Sequence, residues 1–266
     1  MPDNNDDKYL VPGLERGLKI LELFDENHNR LGLNDISKAL DINRSSAFRL
    51  VWTLEHCGYL LRDEDKNYSL SFKALQLGAK TISNLTIIDL AAPVMRTLRD
   101  NTRTAVHLCT LSQTSIVYIY SLQSPGPFLS NIRVGTHWPA HATVIGQLLL
   151  GGLSDDEIKK RYQGIEELKS YSEATPKTID ELLEKVHKAR ESDYLLSWKN
   201  FQPNMVASAS PLRHPGTHEV PYVLSTSYPA SGLQKEEFIE NVIPLQIQAA
   251  QDITERYLLS INSSEQ

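Results

Sequence analysis

Two arginines and two serines stand close together in one short segment of the chain. The segment INRSSAFRL contains Arg44, Ser45, Ser46 and Arg49, whereas the whole chain of 266 residues has a formal net charge of −6. Guanidinium groups and hydroxyls bind phosphate oxygens and the edges of bases. No acidic residue occurs at positions 42–54, so nothing in the segment opposes that chemistry. The segment therefore indicates local contact with nucleic acid by a protein that is acidic overall.

The same segment has the apolar spacing of an amphipathic helix. Ala47, Leu50, Val51 and Leu54 follow the pattern i, i+3, i+4 and i+7, which predicts one buried stripe. At 100° per residue, the opposite side of this helix carries Ser45, Arg49 and Trp52. Asn43 or a neighbour is expected to cap the helix start, where free backbone N–H groups favour a phosphate. The helix is thus expected to hide its apolar side and to present arginine and hydroxyls.

The elements around this helix predict a winged helix-turn-helix. PGLERGLKILELF and NDISKAL have helical periodicity, and Asn34 is the expected N-cap of the second, shorter helix. After the basic helix, 59–61 and 68–70 resemble two strands around the polar turn DEDKN. In such a domain the second helix of the motif enters the major groove and the wing lies along the DNA backbone.

Two other interpretations of the basic helix are a solvated face and a winged helix used only for dimerisation. The order of helix, short helix, three-residue turn, basic helix and hairpin favours DNA binding over both. If the double substitution Arg44→Ala/Arg49→Ala does not weaken DNA binding, the assignment of this helix as the recognition helix is wrong. The residues expected to contact DNA are Asn43, Arg44, Ser45, Ser46, Arg49, Trp52, Thr53 and, in the hairpin turn, Lys66.

The length and pattern of the chain predict two domains. Residues 1–9 are polar and acidic and are expected to be a disordered tail, and 10–72 form the winged helix-turn-helix. A linker helix is expected over 73–92, with Pro93 starting a further helix. Residues 85–262 contain strands such as NIRVG, VASASPL and VPYVLSTSY, a helix over 178–192 and a helix over 235–259 interrupted at Pro244. Strands and helices mixed in this way predict an α+β domain.

A candidate ligand pocket lies in the segment RVGTHWPAHATVIG. A strand ending near Arg133 and Gly135 is expected to lead, through a loop, into a helix from about Ala140. A helix start is a natural seat for a carboxylate, and small residues let a ligand approach the backbone. A loop-to-helix junction without a ligand fits the same pattern. The candidate residues in this segment are Arg133, Gly135, Ala140, His141, Ala142 and Gly146.

An enzyme is the main alternative class of protein, and the sequence has few features that support it. It has no G-x-S-x-G elbow, Walker loop or dinucleotide fingerprint, so we expect neither catalytic residues nor a cofactor. The pairs His137/His141 and His214/His218 are interrupted by proline, so no metal site is expected. No apolar run is long enough for a membrane span. The amino terminus is acidic and unlike a signal peptide, which predicts a cytoplasmic protein.

Between about residues 12 and 259 the chain resembles the IclR family of bacterial transcriptional regulators. In the first domain the resemblance rests on LERGLKILELF, LNDISKALDINRSSAFRLVWTLEHCGYL and YSLSFKALQLG. In the second it rests on SIVYIYSLQSP, RVGTHWPAHATVIGQLLL, SASPL and YVLSTSYPASGL, in the family's order and spacing. It implies a winged helix-turn-helix, a linker helix and a C-terminal effector-binding domain, GAF-like, with a curved antiparallel sheet.

The resemblance also implies partners and further site residues. Family members act as homodimers or homotetramers on palindromic sites in double-stranded promoter DNA, as repressors or activators. They respond to a small organic acid or related metabolite, whose contacts on the later strands match Ser197, Ala207, Ser225 and Ser227 here. An acidic residue is common in relatives near Ser197, and a lysine is common at the position of Gln147. The effector, the operator, the sign of regulation and the choice between dimer and tetramer are not determined by the sequence.

Overall fold

The computed structural model describes residues 9–25, 27–126, 132–231 and 233–264. The chain divides into two compact units, Met1–Asn84 and Leu85–Gln266. The disordered tail expected over 1–9 lies outside the described residues, except for Tyr9. Within the described residues, no helix is both long and apolar enough to cross a membrane.

The first unit is a winged helix-turn-helix. Its elements are α1 (Pro12–Glu22), β1 (Leu31–Gly32), α2 (Leu33–Ala39), α3 (Arg44–His56), β2 (Leu60–Arg62), β3 (Asn67–Leu70) and α4 (Phe72–Ser83). The three strands form an antiparallel sheet in the order β1-β3-β2. This arrangement confirms the architecture predicted from the element order.

The core of the first unit takes one buried side chain from each of five elements. Ile20, Ile36, Val51, Leu60 and Tyr68 come from α1, α2, α3, β2 and β3 and pack in one cluster. On α3 the predicted stripe faces this cluster, with two of its residues fully buried and two partly buried. Burial of that stripe fixes which side of α3 faces solvent.

The starts of α2 and α3 show how local capping sets the helix ends. Asn43 caps α3 as expected, since its Oδ1 accepts a hydrogen bond of 2.8 Å from the N–H of Ser46. The expected cap of α2 was wrong, because Asn34 lies inside that helix. The carboxylate of Asp35 instead accepts from the N–H of Gly32 at 3.1 Å, so α2 begins one residue earlier than Asn34.

The predicted single linker helix over 73–92 is two helices in the structure. The first, α4, ends at Ser83, and α5 (Thr86–Thr102) begins after Leu85, whose ψ of 85° is not helical. Pro93 does not start a helix but lies inside α5. Its ring is exposed, while residues on both sides of it, such as Ala91 and Met95, are buried, so packing outweighs the local cost of proline.

The second unit contains a six-stranded antiparallel sheet with helices on both faces. Its further elements are β4 (Ala105–Ser112), β5 (Ser115–Leu122), β6 (His137–Pro139), α6 (Val144–Gly151), α7 (Asp155–Arg161), α8 (Ile179–Arg190), β7 (Leu195–Trp198), β8 (Met205–Leu212), β9 (Tyr222–Pro229), α9 (Lys235–Asn241) and α10 (Ile243–Ser264). The strand order is β6-β5-β4-β9-β8-β7. This confirms the predicted α+β class.

Alternate side chains of the central strands pack in two separate cores, one on each face of the sheet. On one face, Cys109 and Val223 pack with the helices α6 and α8. On the other face, Leu108 and Leu224 pack with α5 and α10. Because neighbouring residues of a strand point to opposite faces, each strand contributes to both cores.

Two boundaries near the candidate pocket differ from the prediction. The strand expected from NIRVG is not formed by its described residues. Ile132 and Arg133 have no regular secondary structure and Val134 and Gly135 form a turn, while Asn131 lies outside the described residues. The helix expected from Ala140 begins only at Val144, after a 3-10 turn at Ala140–Ala142. The reason is Thr143, which has extended backbone angles and whose Oγ1 caps the N–H of Gly146 at 3.0 Å.

At the C-terminus, the break in the predicted 235–259 helix falls at Val242 rather than Pro244. Pro244 lies in the first turn of α10, where its missing N–H costs no hydrogen bond.

Candidate DNA-binding surface and effector cavity

The side chains expected to contact DNA lie on the outer surface of the first unit. Those of Asn43, Arg44, Ser45, Arg49, Trp52, Thr53 and Lys66 are exposed, and that of Ser46 is half-buried. Because α3 is helical and its apolar stripe is buried, these groups share the solvent side of one element, apart from Lys66 in the wing turn. The structure thus brings the predicted residues to one surface.

The start of α3 is suited to an anion. Its first turn has no acidic residue, and the cap of Asn43 occupies only the N–H of Ser46. Within the described part of the chain, the guanidinium groups of Arg44 and Arg49 form neither an ion pair nor a hydrogen bond. Both positive charges are therefore available to phosphate groups, that of Arg44 within the first turn and that of Arg49 further along the helix.

A cleft of about 830 Å³ lies between the start of α3, the start of α2 and the wing. It is lined by Gly32, Leu33, Asn34, Asp35, Arg44, Ser45, Phe48, Arg62, Asp65, Lys66, Asn67 and Tyr68. The cleft thus joins three predicted DNA contacts, from α3 and the wing, into one surface. It adds Asn34, Phe48 and Arg62, which the sequence reasoning missed. Helical spacing could have indicated Phe48, which lies four residues after Arg44.

Trp52 has an intramolecular partner but remains open to solvent. Its indole stacks on the ring of His56, with centroids 5.1 Å apart and planes 6° apart. The side chain is still 53% exposed, so most of it is free to contact another molecule.

The second unit has a small cavity between the sheet and the start of α6. It is lined by His107, Tyr118, Ile132, Trp138, Thr143, Val144, Ile145, Ser197, Phe201, Gln202, Met205, Ala207, Ser225 and Ser227. Its volume is about 50 Å³, which is room for a few water molecules. Lysine, arginine, aspartate and glutamate are absent from these described lining residues.

The four residues suggested on the later strands meet at this cavity. Ser197, Ala207 and Ser227 are direct cross-strand neighbours on β7, β8 and β9, and Ser225 lies two residues before Ser227. Strand residues two apart share a face, so these side chains converge on one wall.

The six candidates from RVGTHWPAHATVIG do not line the cavity. Arg133 and Gly135 are exposed in a turn, Ala142 is half-buried, and Ala140 is fully buried. The backbone of Ala140 packs against Gly146, where an added Cβ would lie 2.1 Å from the carbonyl oxygen of Ala140. Gly146 is therefore required for close packing.

His141 is also a packing residue. Its Nε2 lies 3.0 Å from the carbonyl oxygen of Lys169, and its ring contacts those of Tyr162 and Tyr171. Across the described residues, no group of three or more His, Cys, Asp or Glu side chains is arranged to hold a metal ion.

His107 anchors the polar wall of the cavity in its neutral form. Its Nδ1 lies 2.9 Å from the Oγ of Ser121, and its Nε2 lies 3.1 Å from the Oγ of Ser227. Burial lowers the pKa of His107 from 6.5 to about 3, because the charged ring would lose its hydration. The ring therefore supplies one donor and one acceptor and no charge at neutral pH.

Two hydroxyls at the cavity have unused hydrogen-bonding capacity. Neither Tyr118 nor Ser197 forms a side-chain hydrogen bond within the described residues, although both are more than nine-tenths buried. Burial raises the pKa of Tyr118 well above its ordinary value, so its hydroxyl keeps its proton. The ring of Tyr118 meets His107 edge-on at 5.3 Å. These hydroxyls are ready donors for a ligand oxygen.

Aromatic rings close the other side of the cavity. Trp138 and Phe201 are half-buried and meet edge-to-face, with centroids 5.1 Å apart. The sequence reasoning missed these rings, together with His107 and Tyr118. The ring residues that lie on strands showed only strand propensity in the sequence. Which of them meet at the cavity depends on the order of the strands in the sheet.

Two family models match most of the chain. Residues 13–64 match the IclR helix-turn-helix domain, and residues 79–255 match the bacterial transcriptional regulator IclR C-terminal domain. The HTH-type transcriptional regulator KdgR of Escherichia coli is 31% identical over 179 residues, which are 66% of this chain and 66% of that protein. KdgR of Dickeya chrysanthemi is 31% identical over 66% of this chain and 57% of its own length. The matches thus span somewhat less than two thirds of these relatives.

Solved structures have the same fold. A transcriptional regulator from Rhodococcus sp. RHA1 is 26% identical, with a TM-score of 0.74 over 93% of this chain and 98% of that one. An IclR homolog from Microbacterium hydrocarbonoxydans, solved with 4-hydroxybenzoate, is 20% identical, with a TM-score of 0.73 over 92% and 98%. At that identity the second structure shows a shared fold only.

Proposed function

Because this chain belongs to the IclR family of bacterial transcriptional regulators, which bind DNA, we propose that a small organic acid controls its affinity for promoter DNA. The acid binds in the cavity of the second unit. The observation that carries this proposal is a cavity beside the sheet whose unused hydroxyls and helix start offer hydrogen-bond donors and no negative charge. The curated relatives are transcriptional regulators, not enzymes.

The start of α6 supports a carboxylate as the ligand group. Thr143, Val144 and Ile145 line the cavity at the first turn of this helix, where backbone N–H groups lack partners within the helix. Such N–H groups, with the positive end of the helix dipole, favour an anion. The hydroxyls of Tyr118 and Ser197 add two donors nearby. Aspartate and glutamate are absent from the described lining, so none repels a carboxylate there.

The aromatic wall supports a planar or ring-containing acid. Tyr118, Trp138 and Phe201 line the cavity, and aromatic side chains stack on planar groups. The homolog from Microbacterium hydrocarbonoxydans was solved with 4-hydroxybenzoate, which combines a ring with a carboxylate. A volume of about 50 Å³ is too small for such a molecule, so binding must move Trp138 or Phe201 outward.

Promoter recognition is proposed to use a homodimer or homotetramer on a palindromic operator. In the first unit, α1 exposes Leu14 (64%) and Leu18 (53%), and α4 exposes Phe72 and Leu75. Apolar faces of this kind favour association with another copy. A dimer would hold two copies of α3 about one DNA turn apart or a multiple of it. Since its target is the bacterial chromosome, we infer that the protein acts in the cytoplasm.

The association is tested by analytical ultracentrifugation of the full chain with and without operator DNA. A dimer or tetramer is expected in both samples. A monomer bound to operator DNA would contradict the proposal.

Ligand control is tested with the full chain in two measurements. Aromatic acids, sugar acids and short keto acids are screened for an increase in melting temperature, and each hit is added to a DNA-binding titration. The expected hit both raises the melting temperature and changes DNA affinity, because a ligand that prefers one state shifts the population toward it. Equal DNA affinity with and without a stabilising acid would refute the coupling.

A matched variant localises the ligand. Tyr118→Phe keeps the ring and removes the hydroxyl. We therefore expect it to lower the affinity for the acid roughly tenfold and to leave the DNA affinity of the ligand-free protein unchanged. The amide of each acid is the chemical control, and it should bind less tightly. Unchanged acid affinity in Tyr118→Phe and in Ser197→Ala would place the ligand elsewhere.

A further inference from the structure

Phe48 is an aromatic residue on the DNA-facing side of α3 that the core does not use. Its side chain is 46% exposed, although phenyl groups are usually buried. It is absent from the core cluster that contains Val51 and Leu60. Phe48 instead lines the cleft of about 830 Å³ beside the wing.

The surroundings of Phe48 are those of a DNA-contacting surface. Arg44 lies one turn before it and Trp52 one turn after it, and Arg44, Ser45 and Arg62 share the cleft with it. Residues four apart on a helix are neighbours on its surface. The cleft also contains two carboxylates, which its three cations outnumber. An apolar ring thus lies beside cations and a hydroxyl that would hold a phosphate backbone.

The chemistry of the phenyl ring limits what it can recognise in a major groove. It has no hydrogen-bond donor or acceptor, so it cannot read the polar edges of bases. The apolar feature of that groove is the 5-methyl group of thymine, which phenylalanine contacts well. Burying a methyl group against a ring removes apolar surface from water and favours that base over one without a methyl group.

We propose that Phe48 is a specificity-determining residue that contacts the 5-methyl group of a thymine in each operator half-site. The proposal rests on the proposed function, since α3 must enter the major groove of operator DNA. In this arrangement the arginines hold the DNA backbone, and Phe48 selects a T·A base pair at one position.

The test removes the methyl group and nothing else. The full-length protein first selects its binding site from random duplex DNA, and each thymine of that site is then replaced singly by deoxyuridine. Fluorescence anisotropy at fixed salt gives the dissociation constants. We expect replacement at one position in each half-site to weaken binding about three- to fivefold, the effect of one apolar carbon group. Replacement at the remaining positions should have little effect.

Phe48 variants connect that effect to the residue. Phe48→Ala is expected to bind thymine and deoxyuridine operators equally, whereas Phe48→Leu retains a reduced preference for thymine. A 5-methylcytosine placed at the critical position should bind wild type better than cytosine does. Melting curves of the variants separate loss of contact from loss of folding, and Phe48→Leu serves where Phe48→Ala does not fold.

Two outcomes overturn the inference. The first is that wild type tolerates deoxyuridine at every position, as it would if Phe48 packed on a sugar. The second is that Phe48→Ala keeps the thymine preference. Each of these leaves DNA binding itself intact. If wild type selects no DNA at all, the proposed function fails together with the inference.

Discussion

At the scale of single residues, charge and protonation set what each site can bind. Arg44 and Arg49 are exposed on α3 and form no ion pair within the described residues, so their charges are free for phosphate. In the cavity, by contrast, burial keeps His107 neutral and Tyr118 protonated. The protein thus presents cations at the proposed DNA-binding surface of its first unit and neutral hydrogen-bonding groups around the cavity of its second unit.

The first prediction concerns the charge on α3. Arg49→Ala should weaken operator binding and reduce the slope of log K against log salt by about 1. The variant makes one phosphate contact fewer, so its binding releases fewer counterions from the DNA. Arg44→Ala/Arg49→Ala should reduce the slope by about 2. Arg96→Ala removes one exposed charge from α5 and is the control, with an unchanged slope. A double variant that binds like wild type would contradict the assignment of α3.

The second prediction concerns the neutral His107. Its folded pKa of about 3 lies below the ordinary value of 6.5, so the unfolded chain binds the proton first as pH falls. The stability contribution is complete above pH 6.5 and is lost as pH falls from 6.5 toward 3, by at most about 1.4 kcal/mol per pH unit.

Urea unfolding of wild type and His107→Gln at several pH values measures this loss. The variant should show a smaller loss of stability on acidification, and His137→Gln, which replaces an exposed ring, should behave like wild type. Parallel curves for wild type and His107→Gln would show that His107 does not contribute to the pH dependence.

At the scale of elements, caps decide where the functional helices begin. The Oδ1 of Asn43 caps α3, and the Oγ1 of Thr143 caps α6. Each cap lies at the end of the helix that faces its proposed ligand. The same short contacts therefore position the first turn of α3 for DNA and the first turn of α6 for the effector.

The third prediction separates the structural role of Asn43 from its place at the DNA surface. Asn43→Ala should destabilise the first unit by about 1 kcal/mol through loss of the cap. Asn43→Asp keeps an equally good cap, so it should retain stability, but its negative charge should repel phosphate and weaken DNA binding more than tenfold. Thermal unfolding and DNA titration of both variants give the two readouts. DNA binding by Asn43→Asp at wild-type strength would place this helix start away from the phosphates.

At the scale of the whole molecule, each of the two units has buried clusters of its own. Leu60 belongs to the cluster of the first unit, and Leu148 belongs to a cluster of the second. A domain with its own core can unfold as its own cooperative unit. This organisation suits a regulator that binds DNA with one unit and a ligand with the other.

The fourth prediction is that calorimetry resolves two unfolding transitions. Leu60→Ala should lower the melting temperature of one transition, because the cavity that it leaves reduces the free energy of unfolding of the first unit by about 2–5 kcal/mol. Gly146→Ala should lower the melting temperature of the other transition. Its Cβ would lie 2.1 Å from the carbonyl oxygen of Ala140, which should reduce the free energy of unfolding of the second unit by roughly 1–3 kcal/mol.

Gly151→Ala is the control within α6, because the nearest atom to its Cβ would lie at 3.5 Å, an ordinary contact. It should leave both transitions near their wild-type temperatures. A single transition lowered by both Leu60→Ala and Gly146→Ala would show that the units unfold together.

The sequence by itself determined the first unit and the basic helix within it. The stripe of Ala47 and Val51, the cap of Asn43 and the hairpin are local patterns, whose partners lie within a few residues. The family resemblance added the strand positions Ser197, Ala207, Ser225 and Ser227, which do line the cavity. The start of α6 was placed too early, since helical periodicity does not reveal the cap at Thr143.

Only the tertiary structure decided what surrounds the cavity. His107 contacts Ser227, which lies 120 residues later, because β4 and β9 are neighbours in the sheet. Such contacts depend on strand order and register, and a shift of one residue would turn every side chain to the other face. For the same reason, His141 could not be recognised as a packing residue until Tyr162 and Tyr171 were placed beside it.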